Sequence, residues 1–515
     1  MGSYRVDLDQ PEAQTTGVTM NRLRSHRAYF AFACAMSVAL ATQAEPEWPQ
    51  FRGPNSAGIS PRPTPIEFGP EKNALWSLSL DPGHSSPCIA GENLLLTTYV
   101  EEERRLSVVC VDRVSGTVRW ERSLHPDRFE KGHPSFNPAS SSPCSDGERV
   151  VAYFGSYGLV CFDLEGEPLW EVRMPVTASF AGNATSPAIM DDLVILYRGN
   201  RVDHFLLAVD KRTGEERWRV EQAEPFVDEL ACTACPIRYE DQIVLHSARA
   251  MQGIDLATGT QRWVTKLATT ATTVPILAGE EVLVAAWNKM GEPALRPEFP
   301  SFEKLVEDHD QNADGAIQRD ELPTLWIFHR PEGAEAPMNG ATIRFESADR
   351  DRDGRIEAPE WERRLADLDR FRAQYKTHGI VGIRLDQEGV LDNTAVRTLF
   401  TRGIPEVPSP LAHGDHIYFV KNGGLLTCLN RETGRRVYQE RTSGKGTHYA
   451  SPVIAGDHLY TFAGDGTITV VPLGPKFEIA ATNQMDDSVY ASPAIADGTL
   501  YIRTHSKLWA FGASE

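Results

Sequence analysis

Two twelve-residue stretches have the residue types and spacing needed to hold a divalent cation. They are Asp310-Gln-Asn-Ala-Asp-Gly-Ala-Ile-Gln-Arg-Asp-Glu321 and Asp349-Arg-Asp-Arg-Asp-Gly-Arg-Ile-Glu-Ala-Pro-Glu360. Calcium takes about six to eight oxygen ligands at flexible distances. A loop of this length supplies them from side chains at positions one, three, five and twelve, a backbone carbonyl at seven and a water held by nine. In the first stretch Asp310, Asn312, Asp314 and Glu321 fill the side-chain positions, Ala316 gives the carbonyl and Gln318 holds the water. In the second the same places fall to Asp349, Asp351, Asp353 and Glu360, with Arg355 giving its carbonyl and Glu357 standing at nine. Gly315 and Gly354 permit the sharp turn at six. A solvated acidic loop explains one such stretch, but two complete ligand sets in tandem point to calcium, two ions in all.

Both stretches match the EF-hand loop. Ile317 and Ile356 stand at position eight, where paired loops join through a short β-bridge. Phe302, Leu305 and Val306 before the first loop, Leu322, Leu325 and Trp326 after it, and Trp361, Leu365, Leu368 and Phe371 after the second are spaced for single helical faces. Pro323 and Pro359 fall where exiting helices would start and a missing N–H does little harm. Arg350, Arg352 and Arg355 lower the net negative charge of the second loop, which makes it the weaker expected site. The expected role is structural.

The elements that carry these loops are repeats. Asp210-Lys-Arg-Thr-Gly214 with Trp218 has relatives in Asp112 to Gly116 with Trp120, Asp163 to Gly166 with Trp170, Asp255 to Gly259 with Trp263, and Asn430 to Gly434 with Tyr438. Each lies between two β-type runs and reads as a hairpin turn, the Asp or Asn binding turn N–H groups and the Gly supplying φ > 0. Because they recur at a turn, these acids are expected to be structural rather than catalytic. Upstream, a small-polar pair before Pro recurs at Pro87, Pro143, Pro187, Pro236, Pro275, Pro410, Pro452 and Pro493. Apart from two longer gaps the spacing is about 40 to 50 residues, the period of four-stranded propeller blades. The fifth blade starts at Val274, breaks at Asn288 and resumes near Gly379, so the calcium loops sit in an insertion.

The repeats resemble the pyrroloquinoline-quinone-type propeller repeat, in which an Ala-x-Asp-x-x-Thr-Gly-x-x-x-Trp segment closes each blade and its Trp docks on the next. Ala208 to Trp218 fits that pattern. Trp48-Pro-Gln-Phe-Arg-Gly-Pro54 is similar to the N-terminal segment of exported propeller proteins common in planctomycete bacteria, its aromatics serving as packing anchors. The repeats, this resemblance and the two loops together predict an all-β fold, an eight-bladed β-propeller closed by N- and C-terminal strands with an inserted α-helical EF-hand pair. The orphan strand Ala74 to Leu80 would complete the blade of Leu500 to Phe511 and remove two sheet edges. Expected segments are a start-site extension (1–19), a signal peptide (20–44), a strap (45–73), the propeller (74–295 and 379–515) and the insert (296–378).

Two functions follow from the resemblance. One is a binding or scaffold propeller, similar in architecture to the eight-bladed lipoprotein of the outer-membrane assembly machinery. The other is a quinoprotein dehydrogenase, which would imply a vicinal disulfide over the cofactor and an acid and an amide holding calcium in the channel. No Cys-Cys pair is present, so a bound quinone is not expected, and no catalytic residue is assigned. The channel candidates are the polar residues before the inner strands, His133, Asn137, Ser140, Asn183, Thr185 and His448, each more economically read as a hydrogen-bonded loop residue. A protein or small-molecule partner at one face is expected.

The 515-residue chain has a net charge of −19, which argues against a nucleic-acid or anionic-membrane partner. Met20 to Arg27, then Ala28 to Ala41 and Thr42-Gln-Ala44 read as a charged segment, an apolar run too short to span a bilayer and a cleavage site, hence export to the periplasm or cell surface with no transmembrane span after cleavage. Of eight cysteines, Cys110, Cys161 and Cys428 precede the turn acid or amide by two and read as small core residues. Cys232-Thr-Ala-Cys235 has redox-pair spacing but is expected to be two small strand residues.

Overall fold

In the computed structural model of the protein, residues 48–224, 226, 230–231, 233–288, 291, 296–329, 340–373 and 377–513 are described. The expected extension and signal peptide, with Cys34 and Cys232, lie outside them. Eight four-stranded units form a propeller. The first blade comprises Cys88–Ala90, Asn93–Val100, Arg105–Asp112 and Val118–Leu124, paired antiparallel in chain order. Its two middle strands are buried almost throughout, because each blade is covered on both faces by its neighbours. Outer strands alternate instead, as in Glu216–Glu221 of the third blade.

Turn chemistry builds each blade and joins it to the next. Asp210 Oδ1 accepts from the N–H groups of Arg212 (2.8 Å) and Thr213 (3.1 Å), and Gly214 takes φ 73°. A Cβ on Gly116, Gly166, Gly214 or Gly259 would lie 2.5, 2.6, 2.8 or 2.7 Å from the ring of Trp76, Trp120, Trp170 or Trp218. The glycine therefore also makes the floor on which the preceding blade's Trp lies. Each of these indoles donates to a carbonyl of the same turn: Arg113 (3.1 Å), Leu164 (2.7 Å), Lys211 (2.9 Å) and Leu256 (3.1 Å). Trp263 departs from the pattern. The fifth blade offers no such turn, so its indole donates to Gln242 Oε1 (3.0 Å) of its own blade and lies over Gly253. Gly389–Leu391 covers it by adding a parallel fifth strand outside Gln261–Lys266.

The small-polar pairs before each Pro form a collar. Ser86 N–H donates to Ser142 Oγ (2.8 Å), Ser142 to Ser186 Oγ (2.9 Å) and Ser186 to Cys235 Sγ (3.3 Å). Val274, Ser409 and Ser451 donate likewise to Ser409, Ser451 and Ser492 (2.9, 2.9 and 2.8 Å). Closure occurs as the orphan strands require: Ala74–Ser79 pairs antiparallel with Lys507–Phe511, Trp76 facing Ala510. Cys88, Cys110, Cys144, Cys161, Cys235 and Cys428 are all buried free thiols.

The strap lies against the inner strands rather than outside the ring. Trp48 bridges Ile89 of the first blade, Pro49 O accepts from Ser145 N of the second (2.8 Å), and Asn55 exchanges hydrogen bonds with Arg238 of the fourth. Arg52 donates to Pro410 O beside the sixth (2.8 Å), and Ile59–Ser60 pairs parallel with Ile454 and Ala455 of the seventh. About a dozen residues reaching inner strands on several sides of the ring must cross the channel, because each extended residue spans only about 3.3 Å.

Candidate calcium centre

The insertion leaves the fifth blade between its second strand, Glu281–Ala286, and its third, Gly379–Arg384, where Ala286 and Gly379 are register partners. It enters α1 (Phe302–His309), capped by Ser301 Oγ accepting from Lys304 N. α2 (Phe345–Ala348) leads into the second loop and α3 (Ala358–Ala373) leaves it. Ile317 and Ile356 exchange N–H···O bonds of 3.0 and 2.9 Å, joining the loops at the expected position. Both isoleucines are buried with Leu305, Ile343, Phe345, Trp361 and Leu368, and Trp361 Nε1 donates to Pro300 O (3.1 Å), tying α3 to the start of α1.

The expected helix after the first loop is absent. Trp326–His329 is a strand paired with Gly340–Thr342, because Pro323 is followed by aromatic and β-branched residues that favour a pleated surface. Leu322 and Leu325 still pack on the insert's core from this extended segment. The entering element of the second loop is a single turn. Phe371's side chain lies outside the described residues.

Gly315 and Gly354 adopt φ of 79° and 89° at the sharp turn of each loop. Glu321 bonds its own loop at both ends, accepting from Gln311 N and Gln318 N at 2.9 Å each. Asp310 accepts from Gly315 N (2.9 Å), Asn312 from Asp314 N (2.9 Å) and Asp314 from Ala316 N (3.0 Å). In the second loop Glu360 accepts from Arg350 N (2.8 Å) and Glu357 N (3.2 Å), and Asp353 from Arg355 N (2.8 Å). Carboxylate oxygens of Asp349, Asp351 and Asp353 all lie within 4.8 Å of one another. Asp349 is 6% exposed, and its Oδ1 has no hydrogen-bond partner. Three gathered carboxylates with a bare buried oxygen are costly unless a cation is held there, and every donor is an oxygen, so the residues fit calcium.

The turn acids are structural, as expected. Asp210 is held down to about 2, first by the Arg217 guanidinium and then by the Arg212 N–H. The channel candidates are likewise engaged in loop bonds: His133 Nδ1 with Ser135 Oγ (2.7 Å), Asn137 Oδ1 with Ala139 N (2.9 Å) and Ser140 Oγ with Asn137 O (2.8 Å). Asn183 donates to Ser141 Oγ (3.1 Å), Thr185 to Ala234 O (3.2 Å), and His448 N donates to Asn422 Oδ1 (2.8 Å). Sequence reasoning missed a neighbouring arc: Tyr449 and Tyr490 are 5.8 Å apart and Tyr490 and His84 5.0 Å. All three stand three residues before their blade's Pro, in blades seven, eight and one, and that shared offset was the available signal.

Fold and insert together define an eight-bladed propeller bearing an EF-hand pair. A family model described as outer membrane protein assembly factor BamB matches residues 69–294 and 389–473, and the chain belongs to that family. An EF-hand model matches residues 343–366, which contain the second loop. No curated protein matches the chain. Among solved structures, quinohemoprotein alcohol dehydrogenase from Comamonas testosteroni is similar at 12% identity and a TM-score of 0.51, over 92% of this chain and 82% of that one. BamB from Moraxella catarrhalis is similar at 12% identity and a TM-score of 0.49, over 86% and 98%. No helix among the described residues is long and apolar enough to cross a membrane.

Proposed function

We propose that this chain is an exported binding or scaffold propeller, stabilised by two calcium ions, that takes a protein or small-molecule partner at the channel mouth bearing Tyr449, Tyr490 and His84. The observation that carries it is the strap, which bonds to the inner strands of blades one, two, four and seven and so closes the channel. A partner then meets the opposite end, where the inner strands begin and three adjacent blades present aromatic rings. Export agrees with the description of the matched family and with the apolar N-terminal run.

In the insert, Asp310, Asn312, Asp314, Ala316, Gln318 and Glu321 hold one calcium, and Asp349, Asp351, Asp353, Arg355, Glu357 and Glu360 the other. Calcium offsets the crowded carboxylates and fixes the two loops about the Ile317–Ile356 bridge.

The test is native purification of the wild type and of a Tyr449→Ala/Tyr490→Ala variant, with mass spectrometry of what each retains and an absorbance scan for quinone. A species held by the wild type and released by the variant supports the reading. A stoichiometric quinone chromophore would replace it with a dehydrogenase.

A further inference from the structure

Arg355 belongs to the second loop, yet its guanidinium lies in the first. Nη1 is 3.1 Å from Asp314 Oδ2, and Nη2 donates to Asp314 O at 3.4 Å. Asp314 is position five of the first loop, a side chain that its ion requires. The antiparallel Ile317–Ile356 bridge makes this reach possible, because it sets each loop's position-seven residue beside the other loop. The reciprocal residue is Ala316, whose methyl group is too short to reach back. Arg350, the other loop-two arginine with a resolved ion pair, turns away to Asp367 on α3 at 3.0 Å. Of the three arginines that the sequence assigns to the second loop, Arg355 therefore puts its charge on the first. The second loop meanwhile keeps Asp349, Asp351 and Asp353 clustered, with Asp349 Oδ1 bare.

We infer that Arg355 is a built-in competitor of the first-loop cation, so that residues 349–360 fill first and residues 310–321 fill only as the guanidinium leaves Asp314. This rests on the two-calcium reading above. Arg355 thus acts at both sites: its carbonyl stands at position seven of its own loop, and its side chain occupies a ligand of the other. A side-chain substitution that keeps the backbone separates the two roles. The pair is part-exposed, at 39% for Arg355 and 30% for Asp314. Removing it should therefore tighten the first loop by about two- to fivefold, the range for such ion pairs, and less at high salt.

Calcium calorimetry on the full-length protein tests this, with Glu360→Gln leaving the first loop and Glu321→Gln leaving the second. Three results are expected: the second loop alone binds more tightly than the first alone, Arg355→Gln tightens the first loop in the Glu360→Gln background, and that gain exceeds the change it makes at the second loop in the Glu321→Gln background. Arg355→Lys should fall between wild type and Gln, since it keeps the charge without the planar fork. An unchanged or weakened first loop in Arg355→Gln, or an equal gain at both loops, overturns the inference while the calcium assignment stands. Wild-type protein that binds no calcium, or that keeps both sites in each Glu variant, removes the assignment and the inference together. Far-ultraviolet circular dichroism confirms that each variant is folded, and terbium luminescence gives a second reading of site occupancy.

Discussion

Trp76→Ala tests whether one seam holds the ring together. Trp76 is half-buried, packs 6.0 Å from Tyr501, lies on Gly116 and donates to Arg113 O at 3.1 Å. Truncating a fully buried Trp costs about 3 to 5 kcal/mol. Partial exposure reduces that loss, and the indole hydrogen bond restores about 1 kcal/mol of it, so we expect about 2 to 4 kcal/mol. Trp170→Ala is the control, because Trp170 makes the same contacts with Gly214 and Lys211 O inside a covalently continuous part of the ring. Urea unfolding would give the free energies, and hydrogen exchange by mass spectrometry would give their location. Trp76→Ala should strip protection from Lys507–Phe511 and from the Arg113 to Gly116 turn together, whereas Trp170→Ala should act on the second and third blades. A loss below about 1 kcal/mol, or undisturbed protection at Lys507–Phe511, would refute the seam argument.

Replacing residues 289–378 by a short Gly/Ser linker should leave a cooperative, β-rich fold, because Ala286 and Gly379 are already register partners; a non-cooperative melt would make the insert part of the propeller core. Gly214→Ala places a methyl 2.8 Å from the Trp170 ring at φ 73° and should cost about 2 to 4 kcal/mol in chemical denaturation, strain and overpacking combined; a neutral result would show that the blades can separate there at little cost. His246 is fully buried between Thr273 O and Thr269 Oγ1, and burial lowers it from 6.5 to about 4. The unfolded chain therefore binds the extra proton first, so this contribution is complete above about pH 6.5 and is lost as pH falls toward about 4. Between roughly pH 7 and pH 5 the loss is about 2 kcal/mol, and His246→Gln should flatten the pH dependence of urea stability by that amount; an unchanged slope would place the acid sensitivity elsewhere.

The sequence by itself determined whatever depends on short spacing. Turn residues such as Asp210 and Gly214 act within a few residues of themselves, so the hairpins, the blade period and the eight-blade count could be read directly, and the two unmatched end strands implied closure at Trp76. The candidate loop ligands could be named for the same reason, since their spacing is set inside twelve residues. Tertiary structure decided what depends on which segments meet. Trp263 resembles the other blade tryptophans in sequence, but in the fifth blade the link between the third and fourth strands carries Gly389–Leu391 out to the edge of Trp263's own blade instead of closing the usual turn, and the indole turns to Gln242. The segment after the first loop has helical apolar spacing, yet it becomes a strand where Gly340–Thr342 offers a partner. Arg355 reads as a charge on its own loop, but a long side chain acts where its end lies, and only the pairing of Ile317 with Ile356 brings that end to Asp314.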